Sequence, residues 1–339
     1  MTDTAAVLPP PLTSLSKKAR PRRKDLARED RVNWLSTIPY ALFHVAAIAG
    51  AVVFHPTVRD LVLAGALYVA RMAAVTGGYH RYFSHRSFQT SRAFQFVLAL
   101  FAGTAVQKGP LWWAATHRHH HRYSDQPEDV HSPTQRGFWY AHMGWVFAPR
   151  FEQTRLELVP DLAKYPELRW LDRFWLVPQV GLAVLLFALG GAHGLVWGFF
   201  VSTVLLWQGT YSINSFTHLF GRRRFPTTDT SRNSLTLALI TLGEGWHNNH
   251  HYYQGSMRQG FYWWQVDLVG YFIRALEKIG VVWNVRKAPQ RVLDLGRRHG
   301  LALGEQVRAG AAAVAGAVEE AVEKAVEKAV VPPPAAVVS

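Results

Sequence analysis

The chain of 339 residues contains no cysteine. That absence removes disulfides, iron-sulfur clusters and thiolate zinc sites together, so any metal must be held by nitrogen or oxygen. Acidic residues are scarce as well. Asp and Glu number 23 against 37 Lys and Arg, a formal net charge of +14. Such an excess suits nucleic acid, an anionic lipid surface or an acidic partner protein. The first 31 residues include "SKKARPRRKDLAREDR" but lack the apolar core of a secretory signal, so they read as a disordered basic arm and not as a cleaved leader.

What the chain does have is apolar residues gathered in long runs between basic stretches, the distribution of a membrane protein. Residues 34–54 and 58–78 are each long enough to cross a bilayer, with only "HPT" between them. Residues 93–106 are apolar but too short to span, and read as a re-entrant or interfacial helix. Residues 174–190 and 195–213 form a second pair around the turn "GAHG". The predicted fold is therefore an all-α membrane protein with four transmembrane helices in two hairpins. Lys and Arg concentrate outside the two turns, which places both termini and residues 79–173 on the cytoplasmic side as a helical cap. With membrane runs present, lipid and an acidic partner protein are favoured and nucleic acid is not. Residues 32–287 read as the main domain, and 288–339 as an Ala-rich helix with Glu/Lys pairs followed by a Pro-rich tail.

Four histidines fall within five positions in "WWAATHRHHHRYSD". On a helix, His117, His120 and His121 share a face, while His119 points roughly 200° away from His117. The same HxxHH spacing recurs in "GEGWHNNHHYYQ" at His247, His250 and His251. At this histidine frequency, two such matches arise by chance roughly once in a thousand sequences. "GGYHRYFSHRSF" adds His80 and His85, which on a continuous α-helix diverge by about 140°, so the second span must end or bend between them. "YSINSFTHLFG" adds Asn214 and His218. Nine histidines and an amide exceed the coordination of one ion and suit two. A pH switch or a zinc-scavenging tract is the competing reading. His44, His55, His131, His142, His193 and His299 are isolated and read as ordinary polar residues. Asp125, Glu128, Asp129 and Glu244 are either acceptors for imidazole N–H groups or solvated loop carboxylates. Trp112, Trp263 and Trp264 read as interfacial aromatics.

The boxes "HRYFSH", "HRHHH" and "HNNHH", with "NSFTH" between the last two, resemble those of the membrane fatty-acid desaturases, in particular the acyl-CoA delta-9 (stearoyl-CoA) type and its bacterial members. The resemblance covers about residues 34–287. It implies a diiron centre with ligands His80, His85, His117, His120, His121, His218, His247, His250 and His251, and Asn214 acting through water. It implies one ion on His80, His85, His121, His247 and His251, and the other on His117, His120, His218 and His250. It also implies an acyl tunnel lined by Gln107, Trp113, Thr210 and Tyr211 and closed by Tyr68.

The reaction implied is O2-dependent insertion of a cis double bond into a saturated fatty acyl-CoA, with acyl carrier protein or a phospholipid as other conceivable acyl donors. Electrons would come from a separate ferredoxin, rubredoxin or cytochrome b5-type protein with its reductase, in a bacterial inner membrane. Iron is expected over zinc because the chemistry is redox. A diiron hydroxylase or monooxygenase, an acyl-lipid desaturase, and a non-catalytic metal-binding or metal-sensing membrane protein are the alternatives. Arg222, Arg223 and Arg224, with Arg118 and Arg122, read as a patch for the electron carrier or for coenzyme A phosphates, or as an anchor to anionic lipid.

Overall fold

The computed structural model describes residues 30–300 and Val318. The arm read over residues 1–31 lies outside that range except for its last two residues, and the tail read over 288–339 lies outside it beyond residue 300 except for Val318. Two compact units are distinguished, Met1–Pro289 and Gln290–Ser339. Of the second, residues 290–300 are helical, with the side chains of Gln290 and Arg297 bonded to Asp294.

The first unit is mostly helical. Among the described residues, three segments are long and apolar enough to cross a membrane: Leu35–Val53, Val58–Ser84 and Leu176–His218. They contain α1 (Ile38–Val53), α2 (Val58–Ala74), α5 (Leu176–His193) and α6 (Ser202–Ser215). Between them lie the shorter apolar helix α3 (Arg92–Gly103) and the histidine-bearing α4 (Pro110–Tyr123); α7 (His247–Tyr252) and α8 (Leu268–Lys278) follow. The four predicted spans thus appear as three segments. "GAHG" carries no strong stop, and helical bonding resumes on both sides of Gly191, whose φ of 57° and ψ of −146° break the helix. Glycine takes that conformation without a Cβ penalty. Beyond it, a Cβ at Gly198 would lie 3.1–3.2 Å from the Leu63 and Leu186 methyls. On a straight helix, residues 186 and 198 would stand about 18 Å apart, so the axis turns back sharply at Gly191.

Thr57 and Asp60 form a capping box that starts α2, and the His193 ring donates to the Asp60 carboxylate at 2.9 Å. Trp197 Nε1 donates to the Phe54 carbonyl at 2.8 Å. These bonds tie the two connections together at one end of the bundle.

The second segment runs past the predicted end at residue 78. Over Val75–Ser84 it widens into a π-helix, packed against α4. Helix α4 itself begins where a side chain at Gly109 could not fit, since a Cβ there would meet Asp172 at 2.3–2.4 Å. That approach lets Asp172 Oδ1 accept the free amides of Leu111 and Trp112 at 3.0 and 2.8 Å. A short antiparallel pairing of β1 (Gln89–Thr90) with β2 (Val282–Trp283) closes the unit beyond the first histidine box.

Candidate metal centre

Nine histidines converge from four places: the π-helix and its end, α4, the turn after α6, and α7. They fall into two groups, in each of which one ring nitrogen per histidine lies within 4.8 Å of the others. One holds His80, His85, His117, His121 and His250, and the other His120, His218, His247 and His251. The partition predicted above is corrected here: His117 and His250 join the first group, and His247 and His251 the second. On α4 His117 and His121 lie one turn apart on the same stripe, while His120 is turned to the neighbouring one, so residues on one stripe share a centre.

The approach of His85 follows from the π-helix. An i→i+5 bond runs from the His85 amide to the His80 carbonyl at 3.2 Å, and a π turn stacks positions five apart that an α-helix would separate. The two rings come within 4.8 Å.

In the five-histidine group, Nε2 atoms meet in a chain: His80 to His250 at 3.0 Å, His250 to His121 at 2.9 Å, His121 to His117 at 3.0 Å, and His117 to His85 at 2.9 Å. A neutral imidazole nitrogen either donates or accepts one hydrogen bond, so it cannot satisfy two such neighbours at once. A single cation can take all five lone pairs. A metal–nitrogen bond of about 2.1 Å sets cis ligands of an octahedron about 3.0 Å apart, the spacing seen here.

In the four-histidine group, three rings are oriented by aspartates. His120 Nδ1 donates to Asp129 at 2.8 Å, His218 Nδ1 to Asp125 at 3.1 Å, and His251 Nδ1 to Asp229 at 2.7 Å. This fixes the tautomer and turns each Nε2 lone pair inward. The Nε2 atoms of His120 and His251 are buried without a hydrogen-bond partner, and those of His218 and His247 are 3.1 Å apart. Orphaned buried nitrogens converging on one point fit a metal ion.

Burial pushes the imidazoles of His85, His117, His121, His247 and His250 well below their ordinary range, toward the neutral form that binds metal. Burial raises the Asp129 carboxyl, but the adjacent His120 outweighs it and brings the group down to about 2. Asp125 and Asp229 are pulled below the usual carboxylate range in the same way by His218 and His251.

Of the carboxylates near the boxes, Asp125, Asp129 and Glu244 contact ligand-bearing rings, Glu244 through His80 Nδ1. Glu128 contributes only its carbonyl, bonded to His119 Nε2 at 2.9 Å. His119 is further engaged by Arg155 and stands outside both groups.

Several contributors went unread in the sequence. Asp229 sits in the loop "TTDTSRN" with no periodic cue. Arg81 is fully buried, bonding Glu244 at 2.9 Å and Asp267 at 3.1 Å. Asn248 and Asn249, inside the third box, tie α7 to the backbone of Arg224, Phe225 and Gln259. Their burial inside a polar box was the available signal. His131, read as an isolated polar residue, is buried with its ring centroid 4.2 Å from that of His120 and forms a third cluster with His120 and Asp129.

A cavity of about 670 Å³ reaches His117. Gln107, Trp113, Thr210, Tyr211 and Asn214 line it, and Trp113 stacks on His117 at 5.0 Å. Gln107 joins the walls, accepting from Trp113 Nε1 at 3.3 Å and donating to Thr210 at 2.9 Å. It sits between Val106 and Lys108, both with left-handed φ near 60°, a strain held by Trp207 and Arg71 bonding to the carbonyls of residues 104–106.

Tyr68 is not among the lining residues; its hydroxyl donates to the Ile240 carbonyl at 2.7 Å. Trp112 is buried and stacked on Trp145, not interfacial. Arg118 is committed to Asp161 and to the carbonyls of Phe83, Ser84 and Leu158. Arg223 turns inward onto Thr227 and the Asp229 carbonyl, and Arg224 lies 4.9 Å over the Tyr262 ring. Of the three predicted surface arginines, Arg222 is exposed and the other two are partly buried.

Residues 60–286 match the fatty acid desaturase family model. An sn-2 palmitoyl-lipid 9-desaturase of Nostoc sp. (strain 36) is 35% identical over 274 residues, 80% of this chain and 94% of the relative. An sn-1 stearoyl-lipid 9-desaturase of Anabaena variabilis is 35% identical over 270 residues, 77% and 96% of the two chains. An acyl-CoA C20 Delta5-desaturase of Anemone leveillei is 34% identical over 266 residues, 76% and 85%.

Proposed function

The chain belongs to the fatty acid desaturase family, and on that premise we propose that it uses O2 and two external electrons to place a cis double bond at C9 of a saturated acyl chain. The observation that carries this reading is two histidine groups side by side, one of them opening on an apolar cavity at His117. The nine histidines would hold two iron ions, with Asn214 near enough to the cavity wall to act through water. Bound iron would supply the redox chemistry with O2 that no side chain offers against an unactivated C–H bond.

The remaining work belongs to the chain. Asp125, Asp129, Asp229 and Glu244 keep a proton on each Nδ1 and the lone pair on each Nε2. Gln107, Trp113, Thr210 and Tyr211 form the narrow wall that fixes which two methylenes face the histidines, and a fixed distance from the acyl ester to that wall sets the bond position. The mainly apolar lining excludes water.

The topology follows the same reading. The third apolar segment crosses the bilayer twice, turning at Gly191, which gives four crossings in all. The Asp60–His193 and Trp197–Phe54 bonds support both turns lying on one face. The Arg-rich remainder and the histidines then lie on the cytoplasmic face of a bacterial inner membrane. A separate ferredoxin, rubredoxin or cytochrome b5-type donor supplies electrons, consistent with a chain that has no cysteine to hold a cluster.

Expression in a host that makes only saturated fatty acids, followed by gas chromatography and mass spectrometry with and without air, tests this. A Δ9 alkene formed only in air is expected. An alcohol product would make the protein a hydroxylase, and bound metal with no product under air and reductant would make it a metal carrier.

A further inference from the structure

We propose that residues 235–242 dip into the bilayer from the cytoplasmic face as a re-entrant loop, and that the third histidine box is anchored by this lipid-embedded loop. This rests on the spanning topology proposed above and assigns the cap a surface for hydrocarbon.

The stretch "NSLTLALITLG", residues 233–243, carries no charge, although Arg232 precedes it and Glu244 follows. Its short helix, Leu235–Ile240, leaves Leu235, Leu239 and Ile240 53%, 50% and 46% exposed. Large aliphatic side chains clustered in the open mark a contact with another apolar body. The position of the helix says which body. The Ile240 carbonyl accepts from the Tyr68 hydroxyl at 2.7 Å, and a Cβ at Gly209 would lie 2.8 Å from that same hydroxyl. Tyr68 belongs to α2 and Gly209 to α6, so the bond is made between two spanning helices. Tyr68 lies ten residues beyond Val58, about 15 Å along α2 and so near the middle of the roughly 30 Å of hydrocarbon. A protein docking on Ile240 would itself have to enter the membrane. Lipid is already there.

Six helical residues rise only about 9 Å, so the chain leaves by the face it entered. Backbone inside hydrocarbon needs internal partners, and this loop supplies them. The Ser234 amide donates to the Gly245 carbonyl at 2.8 Å, the Gly243 amide to Ala238 at 2.7 Å, and the Val269 amide to Leu242 at 3.0 Å. Ser234 Oγ accepts the Leu237 amide at 3.3 Å, and the Thr241 hydroxyl turns back onto the Leu237 carbonyl at 2.6 Å. On the way out, Glu244 pairs with His80, and His247 opens the third box. The loop therefore sets the height of that box.

The test places the full-length protein in phosphatidylcholine vesicles with one nitroxide at a time. The chain has no cysteine, so each substitution creates a single labelling site. Labels at Leu239→Cys and Ile240→Cys should collide with O2 in preference to a polar nickel chelate, as should one at Val62→Cys on the exposed face of α2. Gln153→Cys, exposed on the cap, should show the reverse preference. Leu239→Arg, which puts a charge into hydrocarbon, should shorten about tenfold the time a chelator needs to strip metal from the loaded protein, and Gln153→Arg should not. Water-exposed labels at residues 239 and 240 beside a lipid-like one at 62 overturn the proposal. So do labels shielded from both reagents and broadened by a neighbouring copy, which would make the face a protein interface. Lipid-like labels with unchanged metal release overturn the anchoring of the third box. A water-exposed label at residue 62 as well would instead sink the spanning topology itself.

Discussion

The two histidine groups reach the same end by different means. In the four-histidine group, three rings are each backed by an aspartate, and the Nε2 atoms of His120 and His251 are buried without partners. In the five-histidine group a carboxylate backs His80 alone, and the Nε2 atoms crowd each other at 2.9–3.0 Å, with His85, His117 and His121 partly open. The first group is oriented by charge and the second by packing and ligand number. An aspartate-backed imidazole is the stronger donor, and a site with four ligands has less to spare than one with five. The groups should therefore differ in what it takes to empty them.

The largest effect should come from removing ligands. His218→Ala should abolish desaturation and lose about one of two metal equivalents by elemental analysis, whereas His85→Ala should abolish desaturation while retaining more metal. Equal metal loss in both variants would erase the distinction between the groups. His119→Ala should leave both readouts near the parent's.

Next in size is the buried support. Glu244→Ala leaves the Arg81 guanidinium with Asp267 and the Met257 carbonyl, and should lower stability by about 3–5 kcal/mol in a denaturation series of the metal-free protein. Asp229→Asn should act on metal binding instead, lowering affinity about 10–100-fold in a chelator competition with little change in fold. If Asp229→Asn bound metal as tightly as the parent, orientation by charge would not be what holds the four-histidine group.

The groups also part along the pH axis. Imidazoles held below their ordinary value take protons less readily folded than unfolded, so they support the fold above about pH 6.5 and lose that support as the pH falls. Carboxylates held low act in the same sense at lower pH: Asp129 contributes above about pH 4, and its share is lost as the pH falls toward about 2. Melting of the metal-free protein should thus weaken in two steps. Asp129→Asn should flatten only the acidic one, and a single shared step would argue against separate origins.

The smallest effect concerns the exposed arginine. Arg222→Glu should raise the carrier concentration for half-maximal turnover a few-fold at low salt and not at high salt. Arg223→Glu should act differently, loosening the 227–229 loop and so His251, with metal loss as its readout.

The histidines themselves were legible because ligation needs side chains on one helical face, and i, i+3, i+4 spacing writes that face into the sequence. Their division between the groups was not, because it depends on how α4 and α7 approach each other across more than a hundred residues. Asp125 and Asp129 follow their box closely enough to be noticed. Asp229 precedes its partner by 22 positions in an irregular loop, and no pattern announces it. The apolar runs marked the long helices, and "GAHG" marked where the third segment breaks, at Gly191.

The widened helix at residues 75–84 makes the protein unusually sensitive to length there. A π turn holds one more residue than the α turn it replaces, which is what keeps His80 and His85 together at a five-residue step, and one residue inserted between them would make that step six. The insertion would scarcely change hydropathy or span length, yet on an α-turn a six-residue step sets the two rings about 120° apart and puts His85 out of the group. In a scan of one-residue insertions along the second membrane segment, the apolar first half should tolerate some, and the stretch between the two histidines none. The spacing of "HRYFSH" is thus a ruler, and its five-residue step matters as much as the residues at its ends.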